Sequence, residues 1–216
     1  MNPLLKSIFS TEFGYAIFRV TTPILLPALG VAISGLSGAV NIALEGIMLA
    51  SACAGVLVSA FTKSLLLALL AGVAVGIGMA ALLGYFHIRL KADIILAAIA
   101  LNMFAQGITI VFLYLTTGDK GSTSSLTSQV FPVLHIPLLK AVPVLGAILS
   151  GHNILVYAAL ASVLLYWLIT FKTPLGLRIR AVGQNPDAAR SVGINVDRTR
   201  LWALLLSGFF GALGGL

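Results

Sequence analysis

The chain has 216 residues, of which 59% are hydrophobic and only 9% are charged. Soluble domains carry about 25% charged residues, so this composition excludes a soluble globular protein and indicates an integral membrane protein. The formal net charge of +7 could suit a nucleic-acid ligand, but the basic residues are concentrated in one loop between apolar runs. They therefore indicate membrane topology and no nucleic-acid partner.

Apolar runs of spanning length recur along the chain. A membrane-spanning helix needs about 20 residues, with a range of about 17 to 25. We predict an all-α, polytopic membrane helix bundle with some broken or re-entrant helices and about six membrane segments, at 20–44, 46–62, 64–86, 94–118, 154–171 and 201–216. The last run is still apolar at Leu216. We therefore expect residues 1–216 to be a C-terminally truncated part of a longer membrane domain.

The stretch SGLSGAVNIALEGIMLASACAG, residues 34 to 55, carries polar groups inside an apolar run. Asn41 and Glu45 are four residues apart, so they share one face of a continuous helix. An ionisable residue near the bilayer centre costs about 2.5 to 3.5 kcal/mol on insertion scales. Glu45 at that depth requires a partner, a water-filled cavity or a substrate.

The same stretch is weakened as a helix by Gly35, Gly38 and Gly46. Broken helices at membrane depth occur where they line cavities. We therefore predict that Asn41 and Glu45 line a solute pathway. The alternative is a structural role for Glu45 at the cytoplasmic interface.

Two later segments add packing and polar signals. Small residues recur at four-residue spacing, which allows helix backbones to approach closely; they are Gly72 and Gly76, then Ser207, Gly211 and Gly215. In LNMFAQG, Asn102 and Gln106 are again four residues apart. Their amides could line the same pathway, or they could hydrogen-bond to a neighbouring helix.

The segment 117–152 combines a polar part with an apolar part that is interrupted by Pro132, Pro137 and Pro143. Prolines at this density prevent one continuous spanning helix. We expect an extracytoplasmic loop that lies on or dips into the outer membrane surface. It would be either a docking platform for an external partner or a packed cap over the bundle.

The segment 172–200, which we call the basic segment, carries more basic than acidic residues. Its acidic residues are Asp187 and Asp197, and its basic residues are Lys172, Arg178, Arg180, Arg190, Arg198 and Arg200. Short loops rich in Lys and Arg remain in the cytoplasm, so this loop is predicted to be cytoplasmic. Two crossings earlier, the basic loop 87–93 falls on the same side. The turn at Lys63, the loop 117–152 and the N-terminus then face outside.

A short capped helix is predicted within this cytoplasmic loop. Asn185 suits the N-cap, Pro186 the first helical position, and Asp187 the positive end of the helix dipole, while Gly193 supplies a left-handed stop. A helix of about seven residues is unstable alone and needs a docking partner. We predict that it inserts into a groove of a cytosolic protein; its apolar residues are Ala188, Ala189 and Val192. The alternative is an ordinary solvated loop.

The sequence contains no G-x-S-x-G, H-E-x-x-H or Walker-type G-x-x-x-x-G-K-[ST] motif and no His/Cys cluster with metal-ligand spacing. It gives no sign of catalysis or nucleotide hydrolysis by this chain. A gradient-driven secondary transporter or channel remains an alternative, because it would use the same polar membrane residues without a cytosolic motor.

TPLGLRIRAVGQNPDAARSVGINVDR resembles the cytoplasmic coupling segment of ABC-type importer permeases of the ribose/nucleoside/branched-chain amino-acid group. The matching positions are Thr173, Gly176, Arg180, Ala181, Gly183, Asn185, Pro186, Ala188, Ala189, Gly193 and Ile194. Gln184 departs from the glutamate that is common there. SGAVNIALEGIMLASA, KADIILAAIALNMFAQG and IPLLKAVPVLG are similar to the nucleoside-type subgroup, and the resemblance runs from about residue 14 to the end.

The resemblance implies a permease subunit of an ATP-driven importer in the bacterial cytoplasmic (inner) membrane, most simply for nucleosides, with simple sugars or branched-chain amino acids as alternatives. It implies an extracytoplasmic solute-binding protein, a second permease subunit and a cytosolic ABC ATPase subunit that carries ATP-Mg, while this chain binds no cofactor. The coupling residues would be Arg180, Gly183, Asn185, Pro186, Ala188, Ala189 and Gly193.

Overall fold

The computed structural model describes residues 11–118, 121–123, 126, 128–134 and 150–216. The described chain is an α-helical bundle with one short strand pair. Its elements are α1 (Thr11–Leu36), α2 (Leu44–Thr62), α3 (Leu65–Gly84), α4 (Ile94–Thr117), β1 (Val133–Leu134), β2 (His152–Asn153), α5 (Ile154–Trp167), α6 (Pro174–Gln184), α7 (Pro186–Ser191) and α8 (Val196–Gly215). The prediction of an all-α polytopic membrane bundle is confirmed.

Within the described residues, five helices are long and apolar enough to cross a membrane: Glu12–Leu36, Leu44–Thr62, Leu65–Arg89, Ile94–Thr117 and Ile154–Lys172. They correspond to the first five predicted segments. The sixth, 201–216, is helical within α8 but does not reach the same hydropathy. The first turns of α8 carry Asp197, Arg198 and Arg200, which lower its mean hydropathy.

The centre of the bundle is α8, which packs against α1, α2 and α3. Its side chains Leu204 and Phe210 are fully buried. The predicted packing role of the small residues is confirmed. A Cβ atom built on Gly76 of α3 would lie 2.5 Å from Ala212 Cβ and 3.1 Å from the Gly208 carbonyl oxygen. These backbones approach so closely because neither helix carries a large side chain at the contact.

The first two membrane helices are separated by a non-helical segment, 37–43, which we call the break. The predicted membrane segment 20–44 is therefore helical only as far as Leu36, where α1 ends. Gly38 at the start of the break has a φ of +78°, a conformation that is strained for other residues. The predicted weakening of the helix by glycine is confirmed at this position.

Two helices end in a π-helical turn at the same end of the bundle. α3 continues as Tyr85–Arg89 and α5 continues as Leu168–Lys172. The loops that follow them share this end, since residues from 87–91 and from 190–200 line one cavity. We call it the basic end. The predicted placement of both loops on one side of the bundle agrees with this cavity; that this side is cytoplasmic stays a prediction from the positive-inside rule.

At the opposite end, β1 pairs antiparallel with β2. The Tyr15 hydroxyl of α1 donates a hydrogen bond to the Gly151 carbonyl oxygen at 2.6 Å, and its ring stacks on His152 with 4.0 Å between centroids. The described part of loop 117–152 is thus attached to α1 and α5. Pro137 and Pro143 lie outside the described residues.

Gly76→Leu is expected to destabilise the bundle, because a side chain there must displace Ala212 and the adjoining backbone of α8. Over-packing of such an interface costs about 1–3 kcal/mol. The matched control is Gly78→Leu on the same helix, where a Cβ atom meets nothing within 4 Å. Both variants would be compared with the parent by thermal unfolding in detergent. Equal melting temperatures would contradict the proposed packing.

Candidate functional site: the break and the basic segment

The backbone of the break is hydrogen-bonded by nearby serines. The Ser37 hydroxyl donates to the Ser34 carbonyl oxygen at 2.6 Å and accepts from the Ala39 amide at 3.3 Å. The backbone amide of Asn41 donates to Ser34 Oγ at 3.1 Å. Non-helical backbone is tolerated within a membrane only where its polar groups are satisfied inside the protein. The buried serines meet that requirement for the first part of the break.

Asn41 connects the break to α8. Its Nδ2 donates to Ser207 Oγ at 3.0 Å, while its Oδ1 accepts from the Ala43 amide at 3.0 Å. The side chain is 0% exposed. The prediction that Asn41 and Glu45 share one helical face is wrong, because Asn41 lies in the break and the helix begins only at Leu44.

Asn102 of α4 bridges one backbone group of the break and one of α2. Its Oδ1 accepts from the Gly46 amide at 2.8 Å, and its Nδ2 donates to the Ile42 carbonyl oxygen at 3.1 Å. These two groups are four residues apart and would bond directly to each other in a continuous helix. The amide of Asn102 occupies the gap instead. A Cβ atom built on Gly46 would lie 2.8 Å from Asn102 Oδ1, so this contact requires glycine.

Glu45 and Gln106 are exposed on the isolated chain. Glu45 lies in the first turn of α2, directly before Gly46, and Gln106 lies one turn beyond Asn102 on α4. Ser207 of α8, the hydrogen-bond partner of Asn41, lies seven residues beyond Arg200. Seven residues span about 10 Å along an α-helix. The start of α2 therefore lies about 10 Å along the bundle from the level of Arg200.

The predicted caps of the short helix in the basic segment are confirmed. Asn185 Oδ1 accepts hydrogen bonds from the Asp187 amide at 3.1 Å and from the Ala188 amide at 3.0 Å. Pro186 occupies the first turn of α7, and Gly193 has a φ of +83°. An ion pair of 3.2 Å joins Arg190 to Asp187. The sequence determined this helix locally, since each cap acts within a few residues.

The three apolar residues of this helix do not share one face. Ala189 is only 4% exposed and packs with Val182 of α6 and Val196 of α8. Val192 is 73% exposed, and Ala188 is exposed as well. The inner face of α7 is thus covered by its own chain, and its outer face is open.

The basic segment contacts the break directly. A Cβ atom on Gly183 of α6 would overlap the Leu36 carbonyl oxygen, and one on Gly38 would lie 3.7 Å from Gly183 Cα. Arg200 of α8 donates from Nε to the Ser37 carbonyl oxygen at 3.4 Å. The predicted coupling residue Arg180 lies three residues before Gly183 on α6, and its guanidinium is 5.1 Å from the Phe171 ring centroid.

Sequence reasoning missed the positioning residues Ser34, Ser37 and Arg200, and it assigned Ser207 to packing alone. Two serines in an apolar run immediately before a flexible glycine were the available signal for the first two. Arg200 was interpreted only as one of the basic residues that set the membrane topology. Its contact with the break depends on the antiparallel packing of α1 and α8.

This arrangement defines a class: a multi-pass membrane protein whose first two spanning helices are joined by a buried non-helical turn, with α6 against that turn and a short capped helix packed on α6 and α8 at the basic end. The family described as "Branched-chain amino acid transport system / permease component" matches residues 15–216. The chain belongs to this family. No solved structure matches the chain significantly.

Several curated relatives are similar over most of the chain. The guanosine ABC transporter permease protein NupQ of Bacillus subtilis is 39% identical over 89% of this chain and 62% of the relative. The nucleoside ABC transporter permease protein NupC of Lactococcus lactis is 33% identical over 90% and 63%, respectively. The putative glucose ABC transporter permease protein TsgC13 of Haloferax volcanii is 30% identical over 96% and 62%. The chain thus spans less than two thirds of the length of these relatives.

Asn102→Leu is expected to loosen the start of α2, because it leaves the Gly46 amide and the Ile42 carbonyl without their side-chain partner. Hydrogen bonds between membrane helices contribute about 0.6–2 kcal/mol each. Hydrogen–deuterium exchange over residues 42–47 should therefore become several-fold faster. Gln106→Leu makes the same chemical change at an exposed site one turn away and should exchange like the parent. Unchanged exchange in Asn102→Leu would contradict the bridging role.

Proposed function

We propose that the chain forms part of the permease subunit of an ATP-driven importer and contributes to its translocation pathway, with nucleosides as the solute. The observation that carries the proposal is the contact between Gly183 in the basic segment and the Leu36 carbonyl at the start of the break. Through this contact, movement produced by a cytosolic ATPase would reach the break between α1 and α2 directly. Family membership and the nucleoside and guanosine transport for which two relatives are named support the same function.

The importer would comprise a second permease subunit, identical or different, and an extracytoplasmic solute-binding protein that delivers solute at the outer end. A cytosolic ABC ATPase subunit would carry ATP-Mg and hydrolyse it, so that this chain acts as a transport subunit and not as an enzyme. The assembly would lie in the cytoplasmic (inner) membrane of a bacterium.

The first step of coupling is docking of α7 in a groove of the ATPase subunit. α7 is attached to the bundle through Ala189, while Ala188 and Val192 remain open to a partner. The Asn185 cap and the left-handed Gly193 fix the two ends of the helix. A short helix that is held at both ends and on one face transmits displacement of its free face to the rest of the chain.

The second step is transfer of that displacement to the break. α6 ends at Gln184, one residue before the Asn185 cap of α7. Gly183 lies against Leu36 and Gly38 with no intervening side chain. Because the contact is between backbones, movement of α6 cannot be absorbed by a change of rotamer. Arg200 of α8 holds the break as well, through its hydrogen bond to the Ser37 carbonyl oxygen.

The third step takes place at the four predicted pathway residues. Asn41 and Asn102 shape the break through their hydrogen bonds to Ser207, Ile42 and Gly46. Glu45 and Gln106 flank it with exposed polar groups at membrane depth. An exposed carboxyl group in hydrocarbon is costly. We therefore assign these two side chains to the surface that lines the pathway shared with the second permease subunit.

Nucleosides are the favoured solute, because the relatives named for guanosine and nucleosides are 39% and 33% identical to this chain. Amide groups such as that of Gln106 can hydrogen-bond both a heterocyclic base and a ribose hydroxyl. Simple sugars are the second candidate, on the strength of the putative glucose permease at 30% identity. Branched-chain amino acids are the third, from the family description.

The class and the solute are tested together by uptake measurements on the full-length permease with its partner subunits in a transport-deficient bacterium. We expect labelled uridine or adenosine to accumulate, ribose and leucine to accumulate less, and uptake to vanish with an ATPase-inactive partner. Uptake that survives the inactive ATPase and follows an ion gradient would indicate a secondary transporter instead. Preferential uptake of ribose or leucine would preserve the class and change the solute.

Gly183→Ala is expected to reduce uptake at least tenfold while the ATPase subunit still copurifies, because the new Cβ atom separates α6 from the Leu36 carbonyl. Gly35→Ala is the matched control, since a Cβ atom there meets nothing within 4 Å. Uptake and ATPase activity would be measured on the same preparations. Normal transport by Gly183→Ala would refute this route of coupling.

A further inference from the structure

A cavity of about 690 Å³ lies at the basic end, between the end of α3 and the start of α8. Its inner part is apolar and formed by Ala81, Gly84 and Leu201, while its mouth carries Arg89 and Arg198. Along both helices the lining therefore changes from apolar to basic toward the cytoplasm. A phospholipid of the cytoplasmic leaflet has the same polarity in the same direction.

Aromatic residues place this mouth at the membrane surface. Tyr85 lines the cavity and is 52% exposed, and Trp202, the residue after Leu201, is 49% exposed. Tyr and Trp concentrate at the level of lipid headgroups. Arg89 is one helical turn beyond Tyr85, and Arg198 is one turn before Trp202. Both guanidinium groups thus belong to residues at the level of lipid phosphates.

The local charge favours an anion. The lining contains one carboxylate, that of Asp197, against Arg89 and Arg198. Asp197 also borders an adjoining cavity of about 400 Å³, whose lining includes Lys91, Arg190 and Arg200. Its negative charge is therefore offset from both sides. The N-terminus of α8, capped by Asn195, adds a partial positive charge at the same mouth.

We propose that this cavity binds an anionic phospholipid of the cytoplasmic leaflet, with its phosphate between Arg89 and Arg198 and the start of an acyl chain along Ala81, Gly84 and Leu201. Arginine suits the phosphate because its planar fork donates two parallel hydrogen bonds. The bound lipid connects the π-helical turn of α3 to the start of α8, close to the Arg200 contact with the break. The site depends on membrane placement alone and not on the identity of the transported solute.

The test uses the full-length permease in detergent, titrated with short-chain phosphatidylglycerol or phosphatidylcholine and analysed by native mass spectrometry. We expect retention of phosphatidylglycerol in preference to phosphatidylcholine. The double variant Arg89→Gln/Arg198→Gln should lose this preference by about ten- to thirtyfold, from about 1 kcal/mol for each basic residue near the lipid surface. Ala81→Phe, which fills the apolar part and leaves both arginines, should also weaken retention.

The matched control is Lys172→Gln/Arg178→Gln, which removes two positive charges from the same end of the bundle outside this cavity. It should retain phosphatidylglycerol like the parent. An equal loss in the control would show a general charge effect and overturn the site, as would unchanged retention in the arginine double variant. Two results would show that the mouth binds a free anion and not a lipid. They are displacement of phosphatidylglycerol by inorganic phosphate at equal concentration, and full retention of phosphatidylglycerol by Ala81→Phe. Loss of retention only when the ATPase subunit is bound would identify that subunit as the occupant.

Discussion

A membrane offers no water to an unpaired amide or carbonyl group, and the segment 37–43 must satisfy this constraint inside the bundle. The rest of the site is arranged around it. Ser34 and Ser37 bind the entrance of the break, Asn41 joins it to α8, and Asn102 completes the first turn of α2. Each of these side chains therefore has a structural role, and together they satisfy the backbone of the non-helical connection between the two spanning helices α1 and α2.

The same constraint explains why the break is connected to the basic end. Its first residues turn at Gly38, beneath the backbone of α6 and beside the guanidinium of Arg200. Its last residues lie at the depth of Ser207, farther into the membrane. One short segment thus extends from the basic end to the polar groups that flank the proposed pathway. In this arrangement the basic end and the start of α2 are connected by backbone contacts, without a long chain of intervening side chains.

The membrane spans and the capped helix were predictable, because apolar runs and cap residues act over short distances along the sequence. The caps at Asn185 and Gly193 formed as their chemistry requires. The limits of the break were not predictable, since an apolar extended segment and an apolar helix have the same composition. The bridge from Asn102 to Ile42 and Gly46 joins residues that are far apart in sequence. The burial of Ala189 depends on Val196, so the open face of α7 also required the folded chain.

The π-helical turns at the ends of α3 and α5 have an evolutionary consequence. A π turn accommodates one residue more than an α-helical turn, so an insertion near Tyr85–Arg89 or Leu168–Lys172 need not rotate the apolar faces that precede it. The loops at this end can therefore change length without disturbing the packing of the bundle. An insertion in 37–43 would instead move Asn41 away from Ser207. Relatives should accordingly vary in length after the two π turns and keep a constant number of residues between Leu36 and Leu44.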